Sequence, residues 1–326
     1  MKPNPSIPLD VPDGRDGRVY VMPPELDLAI RVSLATGRPL LLRGEPGSGK
    51  SSLAPFVARG KGWRYYEHVV TSQTQARDLL WTFDGVRRLA DAQAGVRNLA
   101  NSQYVEPGPL WWAYARESAR RRGETTDCLP TAIEPFSEMN AERSPDYAVV
   151  LIDEIDKADP DLPNGLLVPL SSGTFTVTEI NSEIRKALPV GINPGSTARH
   201  LIVLTTNEER ELPEAFLRRC VVVWLESPGE QELVAIAREH MTAYDEGWSD
   251  IDQALAAEVA HAVVAARERA RQLGIRPAST AEFLDALRAC KQLGISSDSD
   301  EWKLISQFVL FKPQQPGYGN GARNLA

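Results

Sequence analysis

The sequence predicts an α/β fold on a five-stranded, mainly parallel sheet flanked by helices, followed by a small all-helical domain. Five short β-like runs, "PLLLR" (39–43), "RYYEHVV" (64–70), "YAVVLID" (147–153), "HLIVLTT" (200–206) and "VVVWLE" (221–226), are the first sign. Three of them are nearly all apolar, as strands buried on both faces of a parallel sheet must be. Helical or irregular stretches separate the runs, which is the alternation that βαβ units require. After Glu226 the β-like runs stop and amphipathic helical patterns take over.

Taken in order, the opening "MKPNPSIPLDVPDGRDGR" is rich in Pro, Gly and charge and has no apolar core, so residues 1–18 are expected to be a flexible segment and not a secretory signal. "PPELDLAIRVSLATG" places Leu26, Ile30, Val32 and Leu34 among polar residues, an amphipathic helix stopped by Gly37. The α/β domain is expected over 19–226. In "SPGEQELVAIAREHMTAY", Ser227, Pro228 and Glu230 stand as N-cap, first-turn proline and capping-box acid. "IDQALAAEVAHAVVAARERARQLG" carries Leu255, Val259, Val263, Ala266, Ala270 and Leu273 at steps of three and four, ended by Gly274. "STAEFLDALRACKQLG" repeats the design, with Ser279 and Glu282 as a capping box and Gly294 as the stop. A helical lid domain is therefore expected over 227–312, with a flexible tail at 313–326.

Composition narrows the class. A hydrophobic content of 42%, a charged content of 25% and a net charge of -8 describe an acidic globular protein, unlike a general nucleic-acid binder. Cys128, Cys220 and Cys290 lie far apart with no paired spacing, and His68, His200, His240 and His261 have no metal-like spacing, so neither a disulfide framework nor a zinc site is expected. No apolar run approaches membrane-spanning length, and a cytoplasmic protein is expected.

The strongest local signal is "GEPGSGKSS", in which Gly44, Gly49, Lys50 and Ser51 satisfy G-x-x-x-x-G-K-[ST] directly after an apolar strand. The glycines let the backbone N–H groups of Gly44, Glu45, Pro46, Gly47, Ser48 and Gly49 (proline apart) turn toward phosphate oxygens. Lys50 neutralises charge, Ser51 offers a hydroxyl to Mg²⁺, and Ser52, in the first helical turn, is expected at the nucleotide with them. A second element, "VVLIDEID", ends a buried strand in two acids. Asp153 is placed for Mg²⁺ and Glu154 to act as general base on an attacking water. Strands ending in acids are common, so this assignment leans on the phosphate loop. "HLIVLTTNEER" delivers Asn207 to the same sheet edge, where its amide either orients that water or only makes a turn. "LPEAFLRRC" sets Arg218 and Arg219 before the last strand; adjacent arginines of this kind are also found on ordinary solvated faces.

Together "GEPGSGKS", "VVLIDEID", "LTTN" and "AFLRRC", followed by a helical domain, resemble an AAA+ ATPase, and specifically the MoxR-type branch. "YVEPGPLWWAY" (104–114) is similar to that branch's segment ending in a PGP turn, and "GLLVPLSSGTFTVTE" (165–179) to its helix and strand after Walker B. The resemblance runs from about Val19 to Leu293. It implies a Walker A loop at Gly44 to Ser51, a Walker B pair at Asp153 and Glu154, sensor 1 at Asn207, and an arginine finger at Arg219, with Arg218 as the alternate. It also implies ATP and Mg²⁺ as the bound species. A finger acting on a neighbour's ATP implies a ring, expected to be of six subunits, that remodels a protein client beside a von Willebrand factor A-type partner. The sensor 2 arginine of the branch follows a proline, whereas "GIRPASTAEFL" has Arg276 before Pro277, so Arg276 either works from a shifted position or the sensor is altered. The same segment also resembles MoxR-like ATPases of bacterial anti-phage defence systems, which implies the alternative of a nucleotide-dependent switch or nucleic-acid-linked module.

Other features have plainer readings. The segment 115–146 is longer than the usual link into Walker B and is a candidate partner-binding elaboration. Its cluster Arg116, Arg120, Arg121 and Arg122 reads first as a solvated helix end, and Trp111, Trp112 and Tyr114 read as core. Residues 84–109 sit where the branch inserts a hairpin facing the pore, although they are short of β-formers. "TFTVTE" alternates with period two and is expected to be one arm of a hairpin.

Overall fold

A computed structural model describes residues 16–97, 99–125, 131–186, 200–244, 247–296 and 299–306. Cys128, the tail at 313–326 and most of the N-terminal segment lie outside the described residues. The strands, in chain order, are β1 (Leu40–Arg43), β2 (Trp63–Val69), β3 (Trp81–Phe83), β4 (Val105–Pro107), β5 (Ser144–Asp153), β6 (Thr174–Val177), β7 (Ser182–Arg185), β8 (His200–Thr206) and β9 (Val221–Trp224). Five of them form one sheet in the order β2-β5-β8-β1-β9, and each neighbouring pair is parallel.

Alternation along these strands builds two cores. Leu41, Tyr66, Val150, Ile152, Ile202 and Leu204 face one way and pack with Trp111, Trp112 and Tyr114. Leu40, Leu42, Tyr65, Val149, Leu151, Leu201 and Val203 face the other way, against Leu26, Ile30 and Leu34 of helix Pro24–Thr36 and Leu53 and Val57 of helix Lys50–Lys61. Successive residues of a strand point to opposite faces, so a stretch covered on both sides must be apolar, as 148–152 of β5 and 201–204 of β8 are. Strand β9 lies at the edge, and Trp224 there is 52% exposed.

The chain forms two compact units, one of Arg15–Glu45 and Gly49–Leu225, the other holding Pro46–Ser48 and the residues from Glu226 onward. The second unit has its own core of Leu233, Ala237, Val259, Val263, Phe283, Leu287 and Cys290 on helices Glu230–Ala243, Asp250–Leu273 and Thr280–Leu293. The capping box at Ser279 forms as expected: Glu282 N donates to Ser279 Oγ at 3.2 Å and Ser279 N to Glu282 Oε2 at 2.7 Å. Gly274 and Gly294 end their helices in left-handed conformations.

Several expectations are corrected. The cap of helix Glu230–Ala243 is Gly229, whose N–H donates to Glu232 Oε2 at 2.9 Å, in place of Ser227 and Glu230, because the helix starts two residues later than its sequence signal. Val32 and Leu273 face solvent, since the stripes of their helices are narrower than the spacing suggests. Between β3 and its antiparallel partner β4 the described residues form helix Gly85–Gln93 and a 3-10 turn, Asn101–Tyr104, in accord with their shortage of β-formers. In contrast "TFTVTE" does supply one arm, β6, paired antiparallel with β7.

The arginine cluster is satisfied locally. Arg116 bonds Glu134 and Glu117, Arg120 pairs with Glu117, and Arg122 pairs with Glu106. Glu134 anchors the long segment to the sheet, accepting bonds from Arg64 Nη1 at 2.5 Å and from Tyr66 Oη at 2.8 Å, both on β2. Among the described residues no helix is long and apolar enough to cross a membrane.

Candidate functional site: the phosphate loop and the carboxyl ends of the strands

In a parallel sheet all strands end on the same side, so the residues just past β1, β5 and β8 share one edge. Those residues are Gly44, Glu154 and Asn207. Two glycines make the loop after β1 possible. At Gly44 φ is +146° and an added Cβ would stand 2.2 Å from the Leu225 carbonyl oxygen, and at Gly49 φ is +88°. Both are backbone states that a side chain would oppose. Gly49 is the N-cap of helix Lys50–Lys61, and no side chain caps that end. Its first-turn N–H groups therefore present the positive end of the helix to an anion.

Lys50 is 5% exposed and its Nζ donates to Gly44 O at 2.8 Å and to Glu45 O at 2.7 Å. Burial lowers its pKa, against the upward pull of Asp153, Asp156, Glu154 and Glu45. Asp153, at the end of β5, is 2% exposed, and its Oδ1 accepts from Ser51 Oγ at 2.7 Å and from Thr205 Oγ1 at 2.5 Å. Glu154 follows in a left-handed conformation, φ +58°, with its N–H donating to Thr205 Oγ1 at 2.8 Å. Its two carboxylate oxygens have separate partners: Asn207 Nδ2 donates to Oε1 at 3.2 Å and Lys157 Nζ to Oε2 at 2.6 Å.

The fold therefore brings Lys50, Ser51, Asp153, Glu154 and Asn207 to one edge. Ser52 lies in the helix's first turn, where its N–H donates to Gly49 O. Arg218 and Arg219 are not gathered there. They precede β9, and Arg219 Nη1 donates to Ala215 O at 2.7 Å. Arg276 belongs to the helical unit, where it is 55% exposed and pairs with Glu282 at 3.3 Å. Sequence reasoning missed Thr205 and Lys157. A polar residue inside the apolar run "HLIVLTT" and a lysine three positions after Glu154 were the available signals.

The residues present fit a nucleoside triphosphate with Mg²⁺. A buried ammonium resting on loop carbonyls can move to phosphate oxygens, and the Ser51 hydroxyl beside the Asp153 carboxylate is a hard oxygen pair suited to Mg²⁺. Among the described residues no group of three or more His, Cys, Asp or Glu could hold a metal ion. Mg²⁺ does not require one, because it keeps waters and takes oxygens from the phosphates it accompanies. A thiol mechanism has no support at Cys220, which is buried with its pKa pushed up to about 12 by that burial.

Such a loop and strand-end carboxylates on this sheet define a P-loop nucleotide-binding protein. A family model for the AAA domain of the dynein-related subfamily matches residues 39–220, more than half of the chain, and the chain belongs to that family. No curated protein matches it. Among solved structures, a threonine-to-valine variant of RuvB from Thermotoga maritima shares 14% identity at a TM-score of 0.42, covering 87% of this chain and 67% of that one. The Thermotoga maritima RuvB Holliday junction branch migration motor matches with 15% identity, the same TM-score and the same coverages.

Proposed function

We propose that the protein hydrolyses ATP as a MoxR-like AAA+ remodeller, working as a ring, of six in our reading, on a protein client or partner complex in the cytoplasm. The observation that carries the hydrolytic part is the pairing of Glu154 with Asn207 beside the Ser51–Asp153 contact. It sets a carboxylate and an amide at the loop that would hold the phosphates. In this reading Lys50 would move from the loop carbonyls to the β- and γ-phosphates, and Ser51 with Asp153 would hold Mg²⁺. That ion would supply charge neutralisation at the phosphate oxygens. Asn207 orients a water, and Glu154 takes its proton as the water oxygen bonds to the γ-phosphorus and the bond to the β-phosphate oxygen breaks. Glu154 Oε2 becomes free for the proton when Lys157, 39% exposed on its side chain, swings out to solvent.

The ring rests on Arg219. Leu40 pairs with Val221 and Arg43 with Trp224, so Arg219 stands before the start of β9, while Gly44 stands past the end of β1. A four-residue strand spans roughly 13 Å, so Arg219 is at the wrong end of the sheet to serve its own phosphate loop. A neighbouring subunit's loop is the target that fits, with Arg218 as the alternate finger. The resemblance would make Arg276 sensor 2 from a shifted position, or leave that sensor altered. The MoxR placement and a von Willebrand factor A-type partner rest on the "YVEPGPLWWAY" and "GLLVPLSSGTFTVTE" resemblances.

Light scattering on Glu154→Gln with ATP and Mg²⁺ tests the ring: a ring-sized species supports it, and a monomer that still binds ATP sinks it. A phosphate-release rate raised by nucleic acid and by no protein would instead favour a nucleic-acid-linked switch of a defence system.

A further inference from the structure

We propose that Arg43 and Glu208 form a clamp that positions Asn207 against Glu154, making them positioning residues for hydrolysis. The inference rests on the hydrolytic reading above. The two residues are immediate neighbours of site residues: Arg43 precedes Gly44 and Glu208 follows Asn207. In space they meet across the adjacent parallel strands β1 and β8, where Arg43 is level with Thr206. Arg43 Nε donates to Glu208 Oε1 at 2.5 Å, and its Nη2 contacts the same carboxylate oxygen.

Two local bonds and one backbone conformation make this a clamp on Asn207. Glu208 N donates to Thr206 Oγ1 at 3.0 Å, closing a turn with Asn207 at its middle. Glu208 adopts a left-handed conformation, φ +61°, which is unfavourable for a residue with a side chain and is held by its surroundings. The Arg43 carbonyl accepts from Leu225 N at 2.8 Å, tying the root of the phosphate loop to the residue after β9. The ion pair thus joins the backbone that turns into the phosphate loop to the backbone that carries Asn207. Asn207 in turn reaches Glu154 at 3.2 Å, a bond long enough for a small shift of the turn to break it.

A stability role does not account for the pair. Arg43 and Glu208 are 37% and 32% exposed on their side chains, and ion pairs that meet water contribute little to folding. A carrier of catalytic geometry needs only to hold a direction. A displacement of about 1 Å costs up to roughly a hundredfold in rate.

The test uses the full chain with Arg43→Met, Glu208→Gln, the double variant and Arg43→Lys. Each is measured for kcat of phosphate release, for affinity toward a fluorescent ADP analogue, and for thermal midpoint. We expect kcat to fall roughly tenfold to a hundredfold in either single variant, with affinity within about twofold, because the phosphate contacts are made by other residues. The double variant should lose no more than the worse single one, since both remove the same interaction. Arg43→Lys should recover part of the rate. In an Asn207→Ala background Arg43→Met should have no further effect.

Additive losses, unchanged kcat in the singles, or a full further loss in the Asn207→Ala background would each overturn the clamp. If Asn207→Ala itself leaves kcat unchanged, the role given to Asn207 fails, and the clamp fails with it. A normal loss for Asn207→Ala beside a neutral Arg43→Met removes the clamp alone.

Discussion

Each unit buries a cation, and the two are satisfied in different ways. In the helical unit Arg267, 3% exposed, donates from Nε to Ala278 O and from Nη1 to Pro228 O, both at 2.7 Å. Its partners lie 11 and 39 residues away in sequence, so the guanidinium fastens separate segments of one unit. In the sheet unit Lys50, 5% exposed, binds carbonyls only five and six residues back, within the loop that turns into its own helix. Around it stand carboxylates and a helix start with no side-chain cap. A buried charge that joins distant backbone solves a structural problem. One that rests on its own loop beside a helix N-terminus is placed for a ligand.

Substitutions can break this contrast. The largest effect is expected for Glu154→Gln, which removes the proposed proton acceptor and should lower phosphate release by about 10²- to 10⁴-fold while nucleotide binding persists. Lys50→Ala should weaken binding of a fluorescent ATP analogue by roughly tenfold to a hundredfold, the worth of one charge-assisted contact. Its thermal midpoint without nucleotide should move much less than that of Arg267→Met. The latter strands the Ala278 and Pro228 carbonyls at about 1–3 kcal/mol each, which calorimetry would read as a fall of several degrees. Equal thermal losses for the two would erase the distinction.

Glu134, partly buried, offers a pH test of a further charge. Burial pushes its pKa up, but hydrogen bonds from Arg116 and Tyr66 and the charges of Arg64 and Arg116 prevail and hold it below the ordinary carboxylate range. A depressed carboxyl stabilises the fold above its unfolded pKa of roughly 4.3 and loses that contribution as pH falls through the folded value. Thermal midpoints should therefore drop below about pH 4 to 5 in the native chain and drop less steeply in Glu134→Gln. The smallest effect belongs to Ser279→Ala, which removes one half of a capping box and should cost about 1 kcal/mol by denaturant unfolding.

Much of the fold was legible because its signals are local. Strand segments covered on both faces must be apolar, as "AVVLI" and "LIVL" are, and the Ser279–Glu282 box occupies four consecutive residues. Helix starts were less legible. Ser227 carries the expected chemistry, yet packing begins the helix at Glu230, and Gly229 takes the cap by pairing with Glu232. The 84–109 segment is helical over Gly85–Gln93, in accord with its shortage of β-formers.

The sequence by itself determined the phosphate loop, because an anion cradle needs glycines, a lysine and a hydroxyl in unbroken succession, and short-range chemistry leaves a short-range pattern. It also determined that apolar strands end in Asp153, Glu154 and Asn207. Only the tertiary structure decided the order β2-β5-β8-β1-β9, and with it every relation that crosses strands. That order puts Thr205 on Asp153, Arg43 on Glu208 and Asn207 on Glu154, and sends Arg219 to the far end of the sheet. Each of these pairs joins residues more than fifty positions apart in sequence, a separation at which nothing in either residue's neighbourhood names its partner, and only strand pairing brings them within hydrogen-bonding distance.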